Sequence, residues 1–147
     1  HNMNTIMLNN RAELTQATIN LFSSFAPYIP EIIYDYTEKY VFNYRYKGFA
    51  IREIDSGLSY YFPLHIERIS MITPIEGKLH DVSPDVFGIL MTLHCYGMCI
   101  QSDLQDLSDK AKTIALEQIE VIKQKRKMLL QYALKTISPD DIVMLLK

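Results

Sequence analysis

The chain is organised around one stretch in its middle, Val82 to Ile100, which reads VSPDVFGILMTLHCYGMCI. From Val86 onward this stretch contains no charged side chain if its histidine is neutral. Ser83 is a favourable N-cap, Pro84 suits the first helical position, and Asp85 suits the positive end of the helix dipole. Because a helix that is apolar on every side must be covered on every side, the pattern predicts a buried helix at the centre of the fold.

One histidine and two cysteines, His94, Cys95 and Cys99, raise the question of a metal or redox site in this helix. The cysteines lie four residues apart on one face, where helix geometry holds their Cβ atoms too far apart for an unstrained disulfide. With His94, which points about 100° away from Cys95, they supply three ligands, whereas a structural zinc site needs four, usually from separate elements. Free cysteine is among the most buried residue types. We therefore expect core side chains and no metal, with buried thiols and His94 at least partly enclosed.

The clearest β pattern is FAIREIDSGLSYYFPL, residues 49–64, in which two apolar runs flank the short turn Asp55-Ser56-Gly57. Gly57 can supply the positive φ that such a hairpin turn often requires. Pro63 ends the second run, because proline cannot donate to a strand ladder. This segment predicts a β-hairpin, and HIERISMIT, residues 65–73, predicts a further strand.

Helical patterns occupy much of the remaining chain. Asn10, with a glutamate three residues later, is an N-cap for one helix, and Pro30 suits the first position of a second helix. The tyrosines and phenylalanines of residues 32–44 would also fit a strand, but the helical spacing favours a helix to about Val41. A long helix is expected from about Asp109 to Thr136, and the Ser-Pro pair at Ser138 predicts a short last helix. The long helix is expected to bury a stripe made of Ala115, Ile119, Ile122, Leu129, Ala133 and Ile137.

Together these elements predict a single α+β domain over residues 3–147, and the chain of 147 residues is long enough to bury a sizeable core. The expected architecture is a small antiparallel sheet containing a hairpin, packed with several helices that include the buried apolar helix and the long C-terminal helix. Met3 is the expected native start, and His1 and Asn2 are expected to be additions ahead of it.

Composition narrows the classes of function. The formal net charge is −2, from 15 Lys and Arg against 17 Asp and Glu. This balance lacks the basic excess of nucleic-acid-binding proteins, so we expect no tight direct DNA binding, and it is too weakly acidic for a surface that imitates DNA phosphates. The two cysteines and the lack of a signal peptide predict a cytoplasmic protein. The lack of a phosphate-loop pattern predicts no cofactor, and the lack of a membrane span predicts no membrane partner.

Few residues form a pattern that suggests catalysis. Glu53 and Asp55 would fit two-carboxylate chemistry, but a charged strand end and a turn aspartate explain them as well. No serine or cysteine lies at a spacing from His65 or His80 that indicates a catalytic pair. The run KQKRK, residues 123–127, is either a phosphate-binding patch or the solvated face of a long helix. We therefore expect no enzyme, and no catalytic, metal-binding or cofactor-binding residue.

Three segments resemble the ArdB/KlcA family of antirestriction proteins, of which this chain looks like a diverged member. The most specific is the buried helix, because the family has a comparable helix with an apolar Gly-Ile-x-x-Thr-Leu core. The hairpin and the ending LLQYALKTISPDDIVMLLK, residues 129–147, are also similar. Residues 47–50 depart from the family's usual Gly-Gly-Tyr-Trp, and Lys147 stands where the family commonly has an acidic residue. The matching positions are Ser83, Pro84, Gly88, Ile89, Thr92 and Leu93 in the helix, and Gly48, Phe49, Gly57 and Pro63 in the hairpin.

The resemblance implies inhibition of Type I restriction endonucleases, which protects incoming mobile-element DNA in a bacterial host. The implied partner is the host Type I restriction enzyme or an associated protein, bound without catalysis. The alternative is a protein-interaction or immunity-type module of a mobile element that shares the fold but has another partner. Because packing explains the helix, a binding role falls on the hairpin, where Arg52, Glu53 and Asp55 are the expected protein-binding residues.

Overall fold

The computed structural model describes residues 6–8, 10–45 and 47–146, with Ile6 described by its backbone only. It combines helices with two small antiparallel sheets, so the predicted α+β class is confirmed. The helices are α1 (Arg11–Phe22), α2 (Ile29–Tyr40), α3 (Pro84–Ile100) and α4 (Asp109–Thr136), with 3-10 helices at Ser23–Tyr28 and Pro139–Leu145. The strands are β1 (Ile6–Leu8), β2 (Phe49–Asp55), β3 (Leu58–Pro63), β4 (Ile69–Ile72) and β5 (Leu79–Val82).

Helices α1, α3 and α4 start where the sequence predicts, whereas α2 begins at Ile29, one residue before Pro30. The Asn10 side chain accepts hydrogen bonds from two backbone amides of the first turn of α1, at 2.9 and 3.3 Å. Ser83 Oγ accepts one from the amide of Val86 at 3.2 Å and so caps α3. The predicted short last helix is present as the 3-10 helix Pro139–Leu145. The tighter 3-10 form is common in such short pieces, where few i→i−4 hydrogen bonds can form.

The larger sheet has the order β1-β2-β3, and both of its strand pairs are antiparallel. The predicted hairpin is formed by β2 and β3, with Gly57 at a φ of +76° in its turn. The sequence pattern does not predict β1, because three residues are too few for an alternation to show. The further strand predicted in residues 65–73 is β4, which pairs with β5 in a sheet of its own.

Helix α3 lies at the centre of the fold, as predicted, and eleven of its 17 residues are buried. It runs along the outer edge of β3. The Tyr61 amide on that edge donates to Thr92 Oγ at 2.9 Å, and a Cβ added at Gly88 would lie 1.7 Å from the Tyr61 carbonyl oxygen. Since an open strand edge offers unpaired backbone groups to other chains, α3 closes the sheet as well as filling the core. Among the described residues, no helix has both the length and the apolar character to cross a membrane.

The hairpin is covered on both faces, which explains its run of adjacent buried residues. On one face, the Tyr61 hydroxyl lies 2.8 Å from the Thr18 hydroxyl of α1, and its ring stacks on Phe22 at 6.2 Å between centroids. On the other face, Tyr60 packs against Tyr132 of α4, also at 6.2 Å. The six residues predicted as the stripe of α4 are all buried: Ala115, Ile119, Ile122, Leu129, Ala133 and Ile137.

Candidate functional site

The hairpin carries a polar cluster that connects β2, β3 and the first turn of α3. Arg52 Nη1 lies 2.5 Å from Asp85 Oδ1, and the Tyr60 hydroxyl donates to the same oxygen at 2.6 Å. Arg52 and Tyr60 face the same way because they are directly opposite each other in the antiparallel pair. The Arg52 guanidinium also lies 4.2 Å from the ring centroid of Phe62. The side chains of Arg52 and Asp85 are 23% and 40% exposed, so the ion pair sits at the mouth of a cleft and not in the core.

This cleft has a volume of about 250 Å³ and is lined by residues of the hairpin, the start of α3 and the end of α4. Burial, followed by the hydrogen bond to Asp85, raises the pKa of Tyr60, so its hydroxyl stays protonated and remains a donor. The charge of Arg52 is met by Asp85, which leaves the cleft close to electrically neutral. Its chemistry is therefore that of a structural ion pair with hydrogen-bonding groups around it.

The structure does not bring the predicted residues Arg52, Glu53 and Asp55 into one patch. A β-bulge between Glu53 and Asp55 leaves Ile54 without a partner in β3. Glu53 is half-buried, whereas Asp55 is exposed at the turn, where its carboxylate accepts a hydrogen bond from the Ser56 amide at 2.7 Å. Asp55 is thus the one of the three most open to a partner, and the binding role of all three stays a prediction.

The two cysteines of α3 are buried free thiols, as predicted. Burial raises the pKa of the Cys95 thiol, and it raises that of Cys99 from its ordinary value near 9 to about 11. Both thiols are therefore protonated at neutral pH, whereas nucleophilic attack and metal binding require the thiolate. His94 is half-buried, with its ring 4.8 Å from that of Tyr36.

His80 has a partner that its sequence neighbours do not suggest. Its Nε2 lies 2.7 Å from Asp141 Oδ1, which ties β5 to the 3-10 helix Pro139–Leu145. The Ser138 hydroxyl donates to the other oxygen of the same carboxylate at 3.3 Å. A nucleophilic serine needs its hydroxyl directed at the base, so this serine, aspartate and histidine form a structural tie. Within the described ranges, no three His, Cys, Asp or Glu side chains are grouped to hold a metal ion.

The charge run at residues 123–127 is divided between solvent and the fold. Lys123 is exposed and pairs with Glu120 at 3.0 Å, and Lys127 is exposed as well. Lys125 instead donates to the backbone carbonyl of Asn20 in α1, and its partial burial lowers its pKa. Arg126 is half-buried and lies near residues of α2 and α3. The interpretation as a solvated face therefore holds for Lys123 and Lys127, but it is wrong for Lys125 and Arg126.

Comparison with known proteins finds likeness at the level of structure. No family model and no curated protein matches the chain. The chain is similar to a solved structure of the KlcA and ArdB proteins, with a TM-score of 0.56 and 16% sequence identity. The matched region covers 83% of this chain and 85% of the other chain. Those proteins are described as showing a novel fold and antirestriction activity against Type I DNA restriction systems in vivo but not in vitro. The resemblance predicted from the sequence is thus confirmed in three dimensions: this chain has an ArdB/KlcA-like fold.

Proposed function

We propose that this protein is an antirestriction protein, which inhibits Type I restriction endonucleases and so protects incoming mobile-element DNA. The observation that carries the proposal is the shared fold, which extends over 83% of the chain and is not confined to one motif. The segment with the strongest sequence resemblance is also the central one, since α3 places Gly88 and Thr92 against the edge of β3.

We propose further that the protein acts by interaction and not by catalysis. Three sets of reactive side chains support this, because each is either buried or paired with another residue of the fold. The thiols of Cys95 and Cys99 are buried and protonated. The Ser138 hydroxyl is directed at Asp141, and Arg52 pairs with Asp85. The partner we propose is the host Type I restriction enzyme or a protein associated with it.

The activity reported for KlcA and ArdB, in vivo but not in vitro, favours a particular form of this proposal. If this chain behaves in the same way, the purified restriction enzyme is not enough, and a further component of the cell takes part. A protein that acts through such a component needs an exposed binding surface and no active site. The exposed turn at Asp55 is one such surface in the hairpin.

The test is a plating assay with unmodified phage on cells that carry a Type I restriction system. Expression of this protein should raise the efficiency of plating of unmodified phage. It should leave unchanged the plating of phage that already carries the host modification, and of any phage on cells without the system. If plating of unmodified phage does not rise with any of several Type I systems, the proposed function is wrong.

A further inference from the structure

A second groove brings together two features that stand out in the sequence, His94 and the charge run. We call it the Arg126 groove. It has a volume of about 450 Å³ and lies where α2, β4, α3, α4 and the 3-10 helix Pro139–Leu145 meet. Its apolar walls include Leu90, Leu93, Leu130 and Met144. Its polar side chains and rings are those of Tyr36, Tyr40, His94, Gln101 and Arg126.

Arg126 occupies a position in α4 that the helix otherwise fills with core residues. It lies four residues after Ile122 and three before Leu129, both of which are buried. A helix places residues at these spacings on one face, so Arg126 fills the gap in an apolar stripe. The spacing was visible in the sequence, but it was masked by the neighbouring charges of residues 123–127.

The guanidinium of Arg126 has no hydrogen bond or ion pair with any residue that the structure describes. None of the described residues that line the groove carries a carboxylate. A half-buried arginine loses part of its hydration, and a carboxylate that accepts two parallel hydrogen bonds is the partner its planar fork fits best. Among the described residues, therefore, none supplies a negative charge to balance Arg126 in the groove.

The lining of the groove includes two large apolar side chains that are exposed to solvent. Met98 and Leu146 line it and are 44% and 47% exposed, respectively. Large apolar side chains at the rim of a pocket, around a single charged group, are typical of protein-binding sites. A small apolar acid would fill the groove but leave this rim open to water, whereas a protein segment would cover both.

We propose that the Arg126 groove binds a segment of a partner protein that carries apolar side chains beside a carboxylate, with the carboxylate paired to Arg126. The proposal rests on the proposed function only in placing that partner in the host restriction machinery. In the complex, the apolar side chains of the segment contact Leu93, Leu130 and Met98, and the aromatic side chains of α2 close the groove at the other end.

Selection of peptides tests the groove without knowledge of the partner. A displayed library of random linear peptides is selected on the wild-type protein and counter-selected on Arg126→Glu. We expect the enriched peptides to share an acidic residue next to at least two apolar residues. Their affinity should fall about 30-fold or more for Arg126→Glu and less for Arg126→Lys, which keeps the charge but loses the fork. Lys127→Glu, a change of the same charge in the exposed neighbour, should leave their affinity unchanged.

Two further variants keep the test independent of any effect of Arg126 on folding. Met98→Glu places a charge at the exposed rim and should also abolish binding, whereas Leu134→Glu, at a 58% exposed position outside the groove lining, should not. Octanoate and octanol, which have the same chain length but differ in the carboxylate, test whether a small apolar acid binds the groove. The proposal is overturned if no peptide is enriched, if the enriched peptides carry no acid or bind Arg126→Glu equally well, or if octanoate binds through Arg126 and no peptide does.

The plating assay then links the groove to the cell. Arg126→Glu and Met98→Glu should lose protection, while Lys127→Glu and Leu134→Glu keep it, all at thermal midpoints close to that of the wild type. Full protection by folded Arg126→Glu would refute the groove as the binding site for the restriction machinery. Absence of protection by the wild type would refute the proposed function instead, and the peptide selection would still decide whether the groove binds acidic apolar segments.

Discussion

The backbone amide of Tyr61 in β3 donates a hydrogen bond of 2.9 Å to the side-chain hydroxyl of Thr92 in α3. The same hydroxyl donates to the Gly88 carbonyl one turn earlier, at 2.7 Å. A helix side chain thus satisfies a strand edge in the interior of the protein, where water does not reach. The contact requires α3 to approach β3 backbone to backbone, which only a glycine at residue 88 permits. It gives a physical reason for the Gly and Thr of the resembling motif.

Replacement of Gly88 by alanine should therefore be severely destabilising. Its Cβ would lie 1.7 Å from the Tyr61 carbonyl oxygen, so α3 must move away from β3. We expect a loss of about 3 kcal/mol in the free energy of unfolding, or no folded protein at all. Urea unfolding followed by circular dichroism measures it.

The matched control is Gly97→Ala in the same helix, where an added Cβ has no heavy atom within 4 Å. Alanine there should stabilise the protein by about 0.5–1 kcal/mol, because glycine is the weaker helix former. Similar stabilities for the two variants would mean that α3 does not approach β3 as closely as described.

Thr92→Val tests the hydrogen bond itself. Valine keeps the shape of the side chain but leaves the buried Tyr61 amide without an acceptor, which costs about 1–3 kcal/mol. Thr92→Ser retains the hydroxyl and should preserve the bond while losing a methyl group. Hydrogen exchange of the Tyr61 amide should be faster in Thr92→Val than in Thr92→Ser, and equal rates would contradict the pairing.

The three predicted hairpin residues should separate into structural and exposed classes. Arg52→Ala leaves Asp85 without its cation, and because the pair is partly exposed we expect a loss of about 1 kcal/mol. Asp55→Ala, at the exposed turn, should change the stability by less than about 0.5 kcal/mol.

Thermal unfolding of the two single variants checks this difference, and the plating assay on both then separates folding from binding. If Asp55 contacts the partner, Asp55→Ala should lower protection at an unchanged thermal midpoint. Full protection by Asp55→Ala and by the combined replacement of Arg52, Glu53 and Asp55 would exclude the hairpin as a contact surface.

Stability should decrease in alkaline solution because of the buried thiols. Folding raises the pKa of Cys99 from about 9 to about 11, so the folded protein holds this proton when the unfolded chain releases it. The resulting stabilisation is complete below pH 9 and is lost as the pH rises from about 9 to 11. Urea midpoints across this range, compared with those of Cys99→Ala, measure the contribution, and the alkaline loss should be smaller in the variant.

The same burial predicts that a thiol reagent such as dithionitrobenzoate reacts slowly with the native protein at pH 8 and rapidly in urea. A separate amine-acylating reagent provides the reference. It should label the exposed Lys123 and Lys127 equally in both conditions. Fast labelling of Cys95 in the native protein would contradict its place in the core.

Periodicity along the chain determined the elements that depend on near neighbours. The caps at Asn10 and Ser83, the bounds of α4 and its buried stripe follow from spacings of three and four residues, which act within one helix. The hairpin follows likewise, because its turn and both strands lie in one continuous segment. The burial of most of α3 was equally evident, since from Val86 onward the helix has no charged face, although Met98 near its end is exposed.

Contacts between distant residues were decided only by the tertiary structure. Arg52 pairs with Asp85, which lies 33 positions away in the sequence, and His80 pairs with Asp141, 61 positions away. No local sequence pattern indicates which of the carboxylates each residue will pair with. The approach of α3 to the edge of β3, and the meeting of His94 with Arg126 in one groove, likewise depend on how finished elements pack. Which side chains meet depends on the shape of the packed elements and on which surfaces they bury, and both are defined only once the chain has folded.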